Sequence, residues 1–470
     1  MASQYHLQSV LLGQGWVRDA FVTVADDGHI SRIDIHPQSS RPEARRVAGF
    51  VVPGMPNAHS HAFQRGMAGN TEYRLSAHDS FWTWRQAMYA LANRITPADL
   101  QVLATQLFVE MLKSGYTSVA EFHYLHRQIG GDPYPGSNDL WDAVAQGAAT
   151  AGIGLTFLPT LYQTSDFGAQ PLKREQARFA MDTQHFLRAI EQRVGAERRS
   201  GSPMTLRTGA AFHSLRAVPL DALREAVPAL RQMDAALPLH IHVAEQRKEV
   251  EACELATGRR PIELLLDLGM LDRHWCLVHA THATAAELQG IAATAAAVCV
   301  SITTEANLGD GFFNAARFMQ LGGRVCVGSD SQATVCPAEE LRWMEYQQRL
   351  RSKRRSVLAD SAEPHVGTRL WRDAAEHGAL AIGQPAGVIA VGHRADWLVL
   401  DGTHPSMAGA TEATALDHLL FAGGSAAIRD VMVAGRWVVE DRQHRAEAPL
   451  AGRFQSLMAE LERPAQGSQG

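Results

Sequence analysis

Residues 96–122, TPADLQVLATQLFVEMLKSGYTSVAEF, hold one complete helix-to-strand unit, and their reading decides the fold. Thr96 carries the hydroxyl of an N-cap, Pro97 has the fixed φ of a first helical residue, and Gly115 supplies a left-handed stop after apolar residues at helical spacing. The apolar, partly β-branched run 117–122 that follows reads as a buried strand. Outward from this unit the same alternation recurs. A second helix starts at Thr284 with Glu287 three residues on, a capping box, directly behind the apolar run 276–280. Runs at 55–58, 117–122, 154–159, 206–211, 239–243, 276–280, 297–301 and 324–328 give eight strands separated by helical stretches. The pattern predicts a (β/α)8 TIM barrel over residues 54–385.

Both ends of the chain are β-rich. Residues 21–24 and 30–35 flank the hairpin signal Asp26-Asp27-Gly28, and 388–391, 397–401, 428–433 and 436–439 carry β-branched residues around Ala434-Gly435. The ends are expected to meet as a small β-sandwich domain of residues 1–53 and 386–446. The C-terminal tail, 447–470, is expected to be helical at first and frayed from 464 onward.

Bulk properties exclude several classes. Apolar residues are 46% of the 470 and charged residues 20%, the proportions of a folded globular chain rather than a disordered one. A net charge of −5 leaves no basic surplus for a phosphate backbone, so nucleic acid is excluded as the expected partner. No apolar run approaches a membrane span, and the start MASQYHLQSV lacks the features of a signal peptide. The five cysteines are scattered and never spaced C-x-x-C, which suits buried thiols in a reducing cytoplasm and argues against a thiolate metal site.

The first predicted barrel strand ends in His59-Ser60-His61. Residues two apart on a strand project to the same side, so both imidazoles can reach one ion. With 21 histidines in 470 residues, such a pair arises about once by chance, so alone it is weak. The other candidates give it weight: His240 and His242 on strand five, His279 at the end of strand six and Asp330 just after strand eight fall on the rim where barrels build active sites. Imidazoles and a carboxylate with one position left open suit a catalytic ion. His123, His126 and His282 read as partly buried or surface polar residues.

The order H-x-H (His59, His61), H-x-x-E (His242, Glu245), a lone histidine (His279) and S-D (Ser329, Asp330) resembles the amidohydrolase superfamily over the whole chain, down to GVIAVGHRADWLVL at 387–400. The resemblance implies metal ligands His59, His61, His242 and Asp330, and places His240 deeper in the barrel as a hydrogen-bonded histidine. It further implies that His279 polarises the substrate, that Asp330 accepts a proton from water and that Glu245 carries one to the departing nitrogen. Two-metal members of the superfamily carry a bridging lysine on strand four; residues 204–214, MTLRTGAAFHS, have none, which implies one Zn2+ per chain, with Fe2+ or Mn2+ able to use the same ligands.

Three further runs, GMPNAHSHAFQRGMAG (54–69), TTEANLGDG (303–311) and GSDSQATVCPAEELRWMEYQQRL (328–350), resemble the family of N-formimino-L-glutamate deiminases of bacterial histidine degradation. That resemblance implies conversion of the formimino group and water to N-formyl-L-glutamate and ammonia, a small dicarboxylate substrate, and a homodimer. The substrate then needs cationic and hydrogen-bonding partners, and matching positions are Gln64, Arg85, Tyr124, His213 and Arg216. Three departures stand out: Ser301-Ile302 where the family commonly has Cys-Pro, Gln332 in place of a frequent histidine, and Asn70 in place of an apolar residue. The competing readings are a one-metal deaminase of a base such as guanine or cytosine, which would want an apolar stacking pocket, and a non-catalytic barrel scaffold.

Overall fold

The computed structural model describes residues 2–35, 41–73, 80–135, 139–200 and 205–463. At the N-terminus β1 (Ser3–Leu12) pairs antiparallel with β2 (Gly15–Val24), which pairs with β3 (Ile30–Asp34). On its other side β1 pairs parallel with β4 (Arg45–Pro53). The register of that pair slips between Leu7 and Ser9, at the level of Gly49, whose φ of +104° and approach to Leu400 O leave no room for a Cβ.

The chain then enters the barrel: β5 (Met55–Ser60), β6 (Tyr116–His123), β7 (Gly154–Leu161), β8 (Leu206–Thr208), β9 (Ala210–Phe212), β10 (Leu239–Val243), β11 (Trp275–His279), β12 (Ala297–Val300) and β13 (Arg324–Val327). All are parallel, and most are buried along their whole length, as strands covered on both faces must be. β8 and β9 are the expected fourth strand, 206–211, broken at Gly209, where a Cβ would press on Leu158 at 2.5 Å and Pro238 O at 2.9 Å. The eight strands thus close almost fully. The helix Pro97–Ser114 forms as its sequence predicts, with the Thr96–Asp99 capping box and Gly115 at φ +110°. The Thr284 cap forms likewise.

After the barrel, β14 (Trp397–Leu400) returns to pair with β4, and β15 (Ile428–Val433), β16 (Arg436–Glu440) and β17 (Gln443–His444) complete an eight-stranded mixed sheet built from both chain ends. The sheet curls over itself, so that His29 bridges to Arg394 and Ile30 N donates to His393 O at 2.8 Å. Its core, around Tyr5, Leu7, Trp397 and Met432, is separate from the barrel core.

The expected strand at 388–391 is not one. Gly387 and Gly392, at φ +76° and +85°, bracket it, and its backbone turns: Gly392 N donates to Ile30 O and His393 N to Ala390 O. β1 and β4, by contrast, carry no clear strand signal in sequence, since a bulge interrupts the alternation of both. A helix, Glu447–Leu461, packs the tail on the helix Pro97–Ser114, while the expected fraying at 464–470 lies outside the described residues. No helix among the described residues is long and apolar enough to cross a membrane.

Sheet and barrel meet over a buried charge pair. The fully buried Arg394 donates from Nε to both Asp396 oxygens at 2.9 Å and from Nη1 to Gln384, which reaches Thr156 on β7. Replacing Arg394 with Met strands the Asp396 carboxylate out of water, and such half-broken pairs cost about 3–5 kcal/mol. Urea unfolding of Arg394→Met is expected to show a loss of that size; a loss below about 1 kcal/mol would mean that solvent or another group satisfies Asp396.

Candidate active site

The open seam of the barrel lies between its first and last strands, and it is closed by the residues that follow them. Ser329 N and Asp330 N both donate to His59 O at 3.0 Å, His61 N donates to Asp330 O at 3.2 Å, and Ser60 bridges to Asp330. Asn57 fixes the turn, giving Nδ2 to Ser329 Oγ at 2.7 Å and taking Ser329 N at 3.1 Å. The strand ends are turned sharply: Ala244, His279, Ala280, Asp330 and Gln332 all have φ between +46° and +71°, a conformation costly for residues with a Cβ and typical of functional sites.

These turns aim five side chains at one point. His59 Nε2 lies 3.0 Å from His242 Nε2 and 3.3 Å from Asp330 Oδ1, and His61 Nε2 lies 3.4 Å from the same oxygen. Nδ1 of His61 is 2.8 Å from Phe122 O and Nδ1 of His242 is 2.8 Å from His213 O, which assigns the proton to Nδ1 and leaves each Nε2 lone pair facing inward. Burial pushes the three imidazoles down, His61 to about 3, so all are neutral. Burial pushes the Asp330 carboxyl up, but its contact with His59 and the charge on His279 more than offset this and keep it ionised. His59 Nδ1 is buried with no hydrogen-bond partner among the described residues, and three imidazoles converging on one carboxylate are a donor set suited to zinc or a similar ion. The residues fit a metal.

His279 stands beside them with a different environment. Its ligand atom lies within 4.8 Å of those of His59, His242 and Asp330, so distance alone admits it as a ligand. Its Nδ1, however, is 3.2 Å from Glu305 Oε1, and its Nε2 faces Glu245 at 3.7 Å and Asp330 Oδ2 at 3.8 Å. Burial would lower its pKa, but these three carboxylates hold it well above the ordinary value. A protonated ring donates hydrogen bonds and has no lone pair for a metal. Glu245 shows the reverse: burial pushes its carboxyl up to about 7. His240, the alternative to His242, points to Ala381 O at 2.9 Å away from this cluster, and His123 and His126 are bonded to the carbonyls of Leu125 and Thr160.

Above the cluster opens a pocket lined by His61, His242, Glu245, His279 and Asp330 and by all five expected substrate residues, Gln64, Arg85, Tyr124, His213 and Arg216. Gln64 Nε2 donates to Tyr124 Oη at 2.9 Å, and its carbonyl oxygen has no partner. Arg216 and Arg85 face one another closely enough to interact unfavourably. Arg216 finds Ser165 O at 3.4 Å and the Tyr162 phenol, whereas Nε and Nη1 of Arg85 are buried with no hydrogen-bond partner among the described residues. Two guanidinium groups at the edge of a buried pocket, one of them unsatisfied, make an anion site.

Several contributors escape sequence reading. Tyr89 and Tyr162 line the pocket beside the arginines, Tyr89 from the helix Phe81–Ala92 and Tyr162 just past β7. Glu249 braces the β10 turn, accepting Ala244 N at 3.1 Å and Glu245 N at 3.0 Å. Asp310 takes a hydrogen bond from Gln246 and is pushed by burial up to about 9. Asp310 and Glu305 lie in the motif TTEANLGDG, so that run signalled them without assigning a role. The departures also acquire places: Gln332 Nε2 donates to Ser60 Oγ and Asp330 O, and Ser301 N donates to Glu305, the partner of His279.

The chain is similar to several known proteins. The family model described as "Amidohydrolase family" matches residues 50–438. A curated relative, formimidoylglutamate deiminase of Pseudomonas aeruginosa, is 44% identical over 97% of this chain and 98% of its own. The crystal structure of an amidohydrolase from Brucella melitensis superposes with a TM-score of 0.90 at 40% identity, covering 98% of this chain and 99% of its own. An adenosine deaminase of Xanthomonas campestris with bound zinc shares the fold at a TM-score of 0.78 and 20% identity, covering 97% and 98% of the two chains.

His242→Ala removes one of the converging nitrogens while its strand stays paired on both sides. Ion content at this site is expected to fall at least about tenfold with circular dichroism unchanged, as measured by elemental analysis; undiminished content would place the ion elsewhere.

Proposed function

The chain belongs to the amidohydrolase family, and we infer from its pocket that it hydrolyses formimidoylglutamate to N-formyl-L-glutamate and ammonia. The observation that carries this reading is the half-buried Arg85 guanidinium, over the Trp82 ring and with Nε and Nη1 lacking hydrogen-bond partners among the described residues, in one pocket with Arg216 and the hydrolytic cluster. A neutral aromatic base has no charge to pair with two cations; a dicarboxylate satisfies both. The 44% identity over nearly the full length of a formimidoylglutamate deiminase supports the same substrate.

In the proposed site His59, His61, His242 and Asp330 would hold one zinc ion. When bound, it supplies the Lewis acidity that readies a water for attack near neutral pH. Asp330, ionised and within reach, accepts a proton from that water as its oxygen bonds to the formimino carbon. Protonated His279 donates toward the charge that builds at the attacked centre, and Glu305 keeps its ring oriented. Glu245, its carboxyl pushed up to about 7, delivers one proton to the terminal nitrogen and the proton held by Asp330 supplies the second; the carbon–nitrogen bond breaks, ammonia leaves, and the hydroxyl proton passes to Glu245 as the formyl carbonyl forms. Arg216 and Arg85 fix the two carboxylates, while Gln64, Tyr124 and His213 position the amidine. A homodimer in the cytoplasm is the proposed setting, consistent with five free cysteines.

An ammonia-release assay on N-formimino-L-glutamate beside guanine, cytosine and N-formyl-L-glutamate tests the substrate. Turnover is expected with the first alone, and robust turnover of another in its absence would overturn the assignment. Glu245→Gln is expected to keep its metal and lose roughly 10²–10⁴-fold in kcat; loss of metal would make Glu245 a ligand. Arg216→Met is expected to raise KM at least tenfold, since it removes a charge-assisted contact of about 1.5–3 kcal/mol. An unchanged KM would remove Arg216 from the carboxylate site.

A further inference from the structure

The interior of a barrel of this type is ordinarily filled by branched aliphatic side chains. Here four consecutive strands place something else there: His240 on β10, Cys276 on β11, Cys299 on β12 and Cys326 on β13, all fully buried. In register His240 stands opposite Cys276, and Cys299 opposite Cys326. The three sulfurs lie within 4.8 Å of one another. His240 shares the inward face of β10 with His242 but sits two residues nearer the barrel floor, roughly 7 Å along the strand. The cluster is therefore separate from the active site.

We infer that Cys276, Cys299, Cys326 and His240 form a closed second site for a thiophilic ion, zinc(II) or copper(I), in the barrel interior. The chain spacing of the cysteines gives no hint of it, because the ligands come from separate strands rather than from a C-x-x-C loop. Three observations carry the inference. A tetrahedral ion with metal–sulfur bonds of about 2.3 Å separates its sulfurs by about 3.8 Å, which fits inside the observed spread. His240 uses Nε2 on Ala381 O at 2.9 Å, and its buried Nδ1 has no well-formed hydrogen bond among the described residues, with Cys276 as its neighbour. An ion would satisfy that nitrogen. The thiols contact chiefly one another and the His240 ring, through Cys276, and Cys326 Sγ reaches Val298 O at 3.7 Å, all weak sulfur contacts that an ion would replace. Soft sulfur donors with one imidazole select zinc or copper(I) over the hard cations.

The site has no opening to solvent, so it fills as the chain folds, and binding releases thiol protons to water. Its ion should then resist chelators that strip the active site through the pocket. The test uses full-length protein from zinc-supplemented and copper-supplemented cultures, treated with EDTA and dialysed. Elemental analysis for both metals is expected to find about one resistant ion per chain, and X-ray absorption to show metal–sulfur scattering near 2.3 Å. The culture that yields the ion tells zinc from copper. Cys299→Ser and Cys276→Ala are each expected to lose the resistant ion while a separate, chelator-sensitive ion remains. Absence of a resistant ion, an ion with only nitrogen and oxygen neighbours, or an intact mass short by two hydrogens, the mark of a disulfide, would each overturn the proposal. Wild-type absorption data decide it even where a variant fails to fold, and none of these readouts depends on which substrate is hydrolysed.

Discussion

The barrel closes through the hydrogen bonds between the ends of its first and last strands, and nearly everything functional depends on them. The same short seam that joins His59 O to Ser329 N and Asp330 N carries three of the groups that converge on the proposed metal. Closing the fold and assembling the site are one event. Asn57 and Gln332 secure the seam from either side with side-chain amides, a task for which geometry matters more than charge. The sharp turns at Asp330 and His279 persist because both flanking strands are paired and buried.

Around this seam burial sorts the charges. It keeps the three seam-facing and strand-five imidazoles neutral, whereas the carboxylates crowded about His279 keep that ring charged. Neighbouring groups of the same chemical type therefore take opposite protonation states, which separates metal binding from proton donation within one cluster. The arginines also line this pocket, where Arg216 disfavours the charge of Arg85 and a negatively charged occupant would relieve that repulsion.

Much of this was legible in the chain. The capping signals at Thr96 and Thr284, the eight buried runs and the strand-end positions of His59, His61, His242, His279 and Asp330 all appear as local patterns, and the structure brings those five residues together. Four of the five expected substrate residues share the pocket for the same reason, since Gln64, Tyr124, His213 and Arg216 follow strand ends on one rim, whereas Arg85 reaches it from the helix Phe81–Ala92. Local reading failed where the pattern is broken or ambiguous. β1 and β4 hide behind a bulge, 388–391 looks like a strand but is folded into a turn by two glycines, and Gly209 divides the fourth strand.

The sequence by itself determined the kind of fold and the rim on which the candidate hydrolytic groups gather, because strand and helix periodicity and residue spacing along a strand are properties of short segments. Only the tertiary structure decided what those groups face. The contacts of Tyr89 and Tyr162 with the arginines, the clamp of Glu249 on the β10 turn, the unpaired Nε and Nη1 of Arg85 among the described residues, and the meeting of three distant cysteines, with His240 beside Cys276, join residues far apart in the chain. Such meetings depend on strand tilt and register around the closed barrel, which no local pattern encodes.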